Sequence, residues 1–141
     1  MTLGNLNHVA AVVRDLDAAL AQWKSLGARL VERAHLPESN TDVAVVEIGG
    51  HQIELLSSRA TDSRVGKILR ERGEGIHHLS FEVEQIEQRL AEARTQGFRL
   101  LDPVPRRGLH GRRIAFLDPK DTSGVLIELV EEMDRPEDTK Q

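Results

Sequence analysis

The sequence repeats itself at an offset of 70 residues, and this repeat constrains the fold more than any other feature. The segment LNHVAAVVRDLDAALAQWKSLGARLVE, which begins at Leu6, aligns without a gap with IHHLSFEVEQIEQRLAEARTQGFRLLD, which begins at Ile76. Seven of the 27 aligned positions are identical, whereas chance would give about two. The chain therefore carries two copies of one structural unit.

Each copy has the same order of predicted elements. A short apolar strand is followed by a helix with apolar residues at helical spacing, then by Gly27 or Gly97 and a second strand. Two further strands follow, in VAVVEIGGHQIELL from Val43 and in RIAFLDPKDTSGVLIELV from Arg113. The pattern predicts an α+β fold of two tandem βαβββ modules, whose curved mixed sheets surround a shared cavity.

The modules span residues of about 5–60 and 75–131, and a linking helix at about 62–72 joins them, which makes 1–131 a single domain. Residues 132–141 hold almost no apolar side chain, and we expect a flexible tail there. No apolar run approaches the roughly 18 residues of a membrane span, and MTLGNLNH lacks the pattern of a signal peptide. We therefore expect a soluble, cytoplasmic protein.

Composition restricts the chemistry that the chain can perform. There is no cysteine, which excludes disulfides and thiolates, so that any metal site must use His, Asp, Glu, Gln or water. A net charge of -4 and an aromatic content of 3% argue against nucleic-acid binding. A small-molecule substrate is the expected partner.

The repeat selects four residues that can bind a metal. His8 and His78 lie on the first strands of the two copies, and Glu54 and Glu128 lie on the last strands. A carboxylate in an apolar strand is costly unless it meets a cation. If a pseudo-twofold axis relates the copies, the four side chains converge as a site for a catalytic divalent ion, and the shared cavity binds metal.

Strand alternation assigns the adjacent histidines of GIHHLSFEV to opposite faces. His78, the counterpart of His8, is predicted to point into the cavity with Ser80 and Glu82, whereas His77 faces away as a bystander. Three further histidines have no counterpart in the other copy and are interpreted as loop or strand-end residues: His35, His51 and His110.

The paired HV and HL strands, the duplicated βαβββ order and the IEL ends resemble the vicinal-oxygen-chelate superfamily. Within it, GEGIHHLSFEV and DPVPRRGLHGRRIAFLDPKDTSGVLIELVE are similar to the methylmalonyl-CoA epimerases, and the similarity reaches about Glu131. This resemblance implies a metal-dependent epimerase that interconverts (R)- and (S)-methylmalonyl-CoA, an acyl-CoA substrate, through a metal-stabilised enolate. It also implies a homodimer.

By the same resemblance, one divalent ion binds at the positions of His8, Glu54, His78 and Glu128. Co2+ or Mn2+ is expected, with Ni2+, Zn2+ or Mg2+ as alternatives. Some members place a glutamate, proposed as a base, where this chain has Val43.

Inversion at a carbon atom needs acid/base groups on both of its faces. Glu54 and Glu128 are the candidate pair, and Asp42 or Glu47 is the alternative base.

The phosphates of a CoA carrier require cations and backbone donors. Basic residues cluster around PRRGLHGRR, namely Arg106, Arg107, Arg112, Arg113 and Lys120. Ser123 and Gly124 follow in the turn before the last strand, where they could border the pocket for the substrate carboxylate. The predicted substrate-binding residues are Arg112, Lys120, Ser123 and Gly124; a solvated basic face is the alternative interpretation.

Three other functions share this superfamily. A glyoxalase I-type lactoylglutathione lyase uses the same four-ligand logic, although it typically has a shorter DPDG-type turn. Ring-cleaving dioxygenases bind iron through two histidines and one glutamate, but they are usually longer and use Tyr or His as helpers; tyrosine is absent here. A non-catalytic binding protein would be indifferent to metal.

Overall fold

The computed structural model describes residues 1–132 of the 141-residue chain. All but the first residue of the predicted tail, 132–141, therefore lies outside the described residues. The chain forms two compact units, one of residues 8–79 and one of residues 1–7 together with the chain from Ser80 onward. The boundaries between the units fall inside strands and not in the linking helix.

The first copy folds in the predicted βαβββ order, followed by the linking helix. Its elements are β1 (Leu6–Val12), α1 (Leu16–Ser25), β2 (Arg29–Leu36), β3 (Thr41–Ile48), β4 (His51–Ser57) and α2 (Arg64–Arg72). Strands β2, β3 and β4 are antiparallel neighbours, and β1 pairs with β4 in parallel. The sheet is therefore mixed, as predicted.

A two-residue turn connects β3 to β4. Gly49 and Gly50 have φ angles of 58° and 80°, and Ile48 pairs with His51 across the turn. Two consecutive positive φ angles are typical of the type I′ turn, which glycine adopts without strain. The turn fixes the register of the hairpin and thereby the position of Glu54 on β4.

Helix α1 covers one face of the strands in the first copy. The Asp15 carboxylate caps its start and accepts a hydrogen bond from Ala18 N at 3.0 Å. Leu16 and Leu20 pack with Val46 and Leu55 in a buried apolar cluster. The side chains that alternate with this cluster along the strands point to the opposite face.

The second copy has the same order of elements, and its last three strands are shorter than those of the first copy. It contains β5 (Gly75–Val83), α3 (Ile86–Thr95), β6 (Arg106–Arg107), β7 (Arg113–Phe116) and β8 (Ile127–Glu131). Ile86 and Leu90 of α3 pack on Leu117 and Leu129. Glu128 alternates with Leu129 and therefore lies on the face of β8 opposite the helix.

The second strand of this copy differs from the prediction. A strand was expected directly after Gly97, but that segment makes only an isolated bridge between Leu100 and Leu117, and pairing resumes at Arg106–Arg107. Pro103 and Pro105 lie between the two pairings. Since proline has no backbone N–H to donate, it interrupts the ladder that the apolar pattern had suggested.

The N-terminal segment belongs to the same unit as the second copy, which the sequence pattern does not predict. Gly4 N donates to Glu82 O at 2.8 Å, Glu82 N donates to Asn5 O at 2.9 Å, and Asn7 Nδ2 donates to Glu82 Oε1 at 3.0 Å. A Cβ atom on residue 4 would lie 2.6 Å from the carbonyl oxygen of Glu82. The close approach of the two backbones therefore requires glycine.

Within residues 1–132, none of the helices has the length and apolar character needed to cross a membrane.

Candidate functional site

His8 lies on the face of β1 that is turned away from α1. Its neighbours on that face, Ala10 and Val12, are buried, and His8 itself is only 6% exposed. Because β1 runs parallel to β4 with Ala10 beside Glu54, the carboxylate of Glu54 reaches the ring of His8. Glu54 Oε2 lies 3.2 Å from His8 Nδ1. The structure thus brings these two predicted ligands together.

The other ring nitrogen of His8 faces His78. The two Nε2 atoms are 3.3 Å apart, and the rings are edge to face with their centroids separated by 5.4 Å. Two lone pairs cannot face each other at this distance, so either one Nε2 carries a proton or both bind one cation. Metal–nitrogen bonds of about 2.1 Å place two ligand nitrogens about 3.0 to 3.4 Å apart. The histidine pair therefore fits a divalent ion.

His77 contacts the ring of His78, which corrects its prediction as a bystander. Its Nδ1 lies 2.7 Å from Nδ1 of His78, and the ring is half-buried. Burial, assisted by the positive charges of Arg64 and Arg72, lowers the pKa of His77 to about 4. His77 is consequently a neutral imidazole at pH 7.

Glu128 is buried on β8, and it belongs to a different unit from His8 and His78. The Ser80 hydroxyl donates to its Oε1 at 2.7 Å, as expected for a residue that alternates with His78 along β5. Burial raises the pKa of Glu128 to about 7, against the opposing hydrogen bond from Ser80 and the charge of Arg106. A bound cation would stabilise the charged form of this carboxylate.

Three of the four predicted ligands, His8, His78 and Glu128, are buried. The fourth, Glu54, is 14% exposed. Imidazole nitrogen and carboxylate oxygen are donors that suit divalent transition metals.

The residues considered as alternative bases contact basic side chains at the surface. Asp42 Oδ1 lies 2.8 Å from Nδ1 of His35, and Glu47 Oε2 lies 3.3 Å from Nη2 of Arg29. Val43 is 1% exposed and is paired in register with Leu56. An apolar side chain therefore occupies the position where some family members carry a glutamate.

The histidines without a counterpart lie where the sequence indicates. His35 is the penultimate residue of β2, His51 is the exposed first residue of β4, and His110 lies in a short 3-10 turn with a φ of 62°.

The arginines of PRRGLHGRR all donate hydrogen bonds within their own unit. The acceptors are Asp102 for Arg106, the carbonyl of Gly111 for Arg107, the carbonyl of Glu131 for Arg112, and both Glu87 and Glu131 for Arg113. The two carboxylates raise the pKa of the Arg113 guanidinium, which stays protonated, and their negative charges offset its positive charge. The carbonyl partners of Arg107 and Arg112 carry no net charge, so these hydrogen bonds do not offset the positive charge of the two guanidinium groups.

The other predicted substrate residues lie in one turn before β8. Lys120 is exposed, and Ser123 and Gly124 have φ angles of 58° and 86°. These three residues belong to one turn, whereas Arg112 lies in the segment before β7.

Residues 7–116 match the sequence model of the Glyoxalase/Bleomycin resistance protein/Dioxygenase superfamily. The human mitochondrial methylmalonyl-CoA epimerase is 39% identical over 129 residues, which are 90% of this chain and 73% of that protein. The ethylmalonyl-CoA/methylmalonyl-CoA epimerase of Cereibacter sphaeroides is also 39% identical, over 90% of this chain and 97% of its own length.

A solved structure has the same fold. It is a Streptomyces coelicolor methylmalonyl-CoA epimerase variant in complex with 2-nitronate-propionyl-CoA, which superposes with a TM-score of 0.87 at 34% identity. The match covers 96% of this chain and 100% of the Streptomyces chain.

Proposed function

Because this chain belongs to the glyoxalase/bleomycin resistance protein/dioxygenase superfamily and, within it, to the methylmalonyl-CoA epimerases, we propose that it interconverts (R)- and (S)-methylmalonyl-CoA. The observation that carries the proposal is the buried pair of His8 and His78, whose Nε2 atoms lie 3.3 Å apart. The substrate follows from the named relatives, and a CoA thioester is the ligand class that they share.

The proposed ligands of one divalent ion are His8, Glu54, His78 and Glu128, with Co2+ or Mn2+ preferred and Ni2+, Zn2+ or Mg2+ as alternatives. The equivalence of these positions in the repeat and the burial of three of them support the set. When bound, such an ion supplies Lewis acidity to the thioester and carboxylate oxygens of the substrate.

The reaction removes the proton from C2 of methylmalonyl-CoA and returns a proton to the opposite face. One carboxylate takes the proton while the electron pair left at C2 delocalises into the thioester; the second group then donates a proton to C2. We assign these roles to Glu54 and Glu128. The equivalent places of the two carboxylates on the last strands of the two copies support the pair.

We assign the CoA carrier and the substrate carboxylate to Arg112, Lys120, Ser123 and Gly124. Arg112 contributes a positive charge and donates to the carbonyl oxygen of Glu131, and Lys120 is exposed. Arg113 is left out of this subsite, because Glu87 and Glu131 neutralise it. The cytoplasmic location and the homodimer stay predictions of the sequence.

The decisive experiment follows exchange of the C2 proton of methylmalonyl-CoA in D2O by NMR. We expect exchange with the metal-loaded protein, loss after chelator treatment and recovery on addition of Co2+. The methylglyoxal–glutathione adduct serves as the rival substrate. Turnover of that adduct without exchange at C2 would identify a glyoxalase instead, and CoA-ester binding that is indifferent to metal would identify a binding protein.

The acid/base assignment is tested with Glu54→Gln and Glu128→Gln. Each removes a proton-transfer group and is expected to reduce the exchange rate by about 10² to 10⁴-fold. Glu47→Gln is the matched control on the neighbouring strand, where Glu47 pairs with Arg29, and it should keep full activity. Full activity of Glu54→Gln with its metal retained would contradict the assignment.

A further inference from the structure

We propose that His77 is a positioning residue, which holds the imidazole of His78 in the tautomer whose Nε2 is available to a metal ion. The inference rests on the proposed metal site and names a residue outside its ligand set. It starts from the 2.7 Å contact between the Nδ1 atoms of the two adjacent histidines.

The positions of the ring protons determine which histidine donates in this hydrogen bond. A hydrogen bond between two Nδ1 atoms requires an N–H on one ring and a lone pair on the other. If His78 offers the lone pair of Nε2 to an ion, its proton must lie on Nδ1, and the bond runs from His78 to His77. His77 is then the acceptor, and its own proton lies on Nε2.

The geometry allows such a bond because the two rings are not stacked. Their planes meet at 74° with centroids 4.9 Å apart, so that Nδ1 of one ring points at the edge of the other. His78 is buried to 4% exposure, which shields the contact from competing water. A rotation of the His78 ring would therefore break a protected hydrogen bond.

The partner histidine has a carboxylate at the corresponding place, and Glu54, as a proposed ligand, would leave this position when it binds the ion. His8 has Glu54 Oε2 at 3.2 Å from its Nδ1, and its Nε2 faces Nε2 of His78. Each ring thus has its far nitrogen contacted by a side chain of the same unit. Histidine ligands generally donate this second N–H to an orienting acceptor, and removal of that acceptor costs 10- to 100-fold in metal affinity.

The first copy carries Asn7 at the position equivalent to His77. Asn7 donates to Glu82, so the role of His77 belongs to the second copy alone. Asparagine nevertheless supplies a useful variant, because its side-chain oxygen occupies nearly the same place as Nδ1 of histidine and can accept a hydrogen bond.

The experiment compares the full-length wild type with His77→Asn and His77→Leu. The dissociation constant for Co2+ is measured by calorimetry on the metal-free proteins, whose thermal unfolding is recorded in parallel. We expect His77→Leu, which lacks an acceptor, to bind Co2+ about 10- to 100-fold more weakly, and His77→Asn to stay close to the wild type. His51→Leu, at the exposed start of β4, is the control and should bind like the wild type.

A second measurement does not depend on the stability of a variant. The ¹⁵N shifts of the histidines in the metal-loaded wild type report the tautomer, and we expect the proton of His78 on Nδ1. A proton on Nε2 would overturn the inference, as would Co2+ binding by His77→Leu with wild-type affinity; in both cases the metal site itself would stand. A wild type that binds neither Co2+ nor Mn2+ would instead refute the metal site, and the role of His77 with it.

Discussion

The two copies of the repeat start their helices differently. In the first copy, Asp15 precedes α1 and caps it directly through Ala18 N. In the second copy, Gln85 has a left-handed φ of 50° and provides no side-chain cap. The first N–H of α3 instead donates to Glu131 Oε2 at 3.1 Å, at the far end of the module. A local contact in one copy is thus replaced by a long-range contact in the other.

The outer strands diverge in the same way. β2 pairs with β3 from Arg29 to Leu36, whereas its counterpart in the second copy is a single bridge followed by a two-residue strand. Two pairs of repeat positions keep the same residue type, His8 with His78 and Glu54 with Glu128. They lie on the first and last strands of the copies, β1 and β5, and β4 and β8. The comparison teaches that the duplicated residues with metal-binding chemistry are retained, while the elements that support them differ.

The largest expected effect tests whether the two histidines are equivalent. His8→Ala and His78→Ala should each reduce exchange at C2 by at least about 10³-fold, because a site that has lost one nitrogen ligand holds the ion weakly, and without the ion the several kcal/mol of charge stabilisation that it supplies are lost. The rates are measured by NMR with excess Co2+. His51→Ala, in an exposed position, should be unaffected. Substantial activity in only one of the two ligand variants would contradict the equivalence of the copies.

Core truncations compare the two apolar clusters. Leu55→Ala under α1 and Leu129→Ala under α3 remove fully buried side chains, and each should lower the free energy of unfolding by about 2 to 5 kcal/mol. Urea denaturation monitored by circular dichroism provides the measurement. Leu26→Ala, at a residue that is 69% exposed, should change the value by less than about 0.5 kcal/mol. A negligible cost at either buried leucine would contradict its assignment to a core.

The pH dependence of the stability of the metal-free protein distinguishes the contribution of His77 from that of Glu128. The pKa of Glu128 is raised from 4.5 to about 7, so the folded state keeps a proton that the unfolded state has lost, and stability falls as pH rises through this window. The pKa of His77 is lowered from 6.5 to about 4. In that window only the unfolded state is protonated, so stability rises with pH.

The two opposing changes in the free energy of unfolding, each on the order of 1 to 3 kcal/mol over its pH window, partly cancel in the wild type. Glu128→Gln should leave the rise contributed by His77, and His77→Asn should leave the fall contributed by Glu128. Urea titrations between pH 4 and 7.5 in the presence of a chelator measure both. An unchanged pH profile in either variant would refute the corresponding pKa shift.

The smallest effect concerns the helix caps. Asp15→Ala removes one capping bond and should cost about 1 kcal/mol. Glu131→Ala should cost more, about 1 to 2 kcal/mol, because Glu131 both caps α3 and pairs with Arg113. Thermal unfolding of the two variants gives the comparison. A larger loss for Asp15→Ala would show that the long-range cap of the second copy is the weaker one.

The sequence predicted the family, the α+β class and the βαβββ order, and these are confirmed. The reason is that strand and helix periods, together with a gapless repeat, are local patterns that the chain displays twice. The turn at Gly49 and Gly50 is also predictable from local sequence, since its positive φ angles fall on two consecutive glycines.

The features that the sequence did not predict depend on contacts between distant residues or on ring atoms. Nothing in MTLGN indicates that Gly4 and Asn5 pair with Glu82. Alternation predicts the direction of the Cβ atom of His77, but Nδ1 lies close to the backbone and reaches the neighbouring ring. The interrupted strand after Gly97 could have been predicted from Pro103 and Pro105, had their missing donors been weighed against the apolar pattern.

The pairing of Gly4, Asn5 and Asn7 with Glu82 has a consequence for dissecting the protein. A gene fragment that starts at the second repeat would omit the residues that occupy both backbone groups and the carboxylate of Glu82. Splitting the chain at the α2 helix would therefore yield two pieces that do not correspond to the two folded units. Complementation between fragments requires the first seven residues to be supplied with the second half, either as a separate peptide or through a circularly permuted chain.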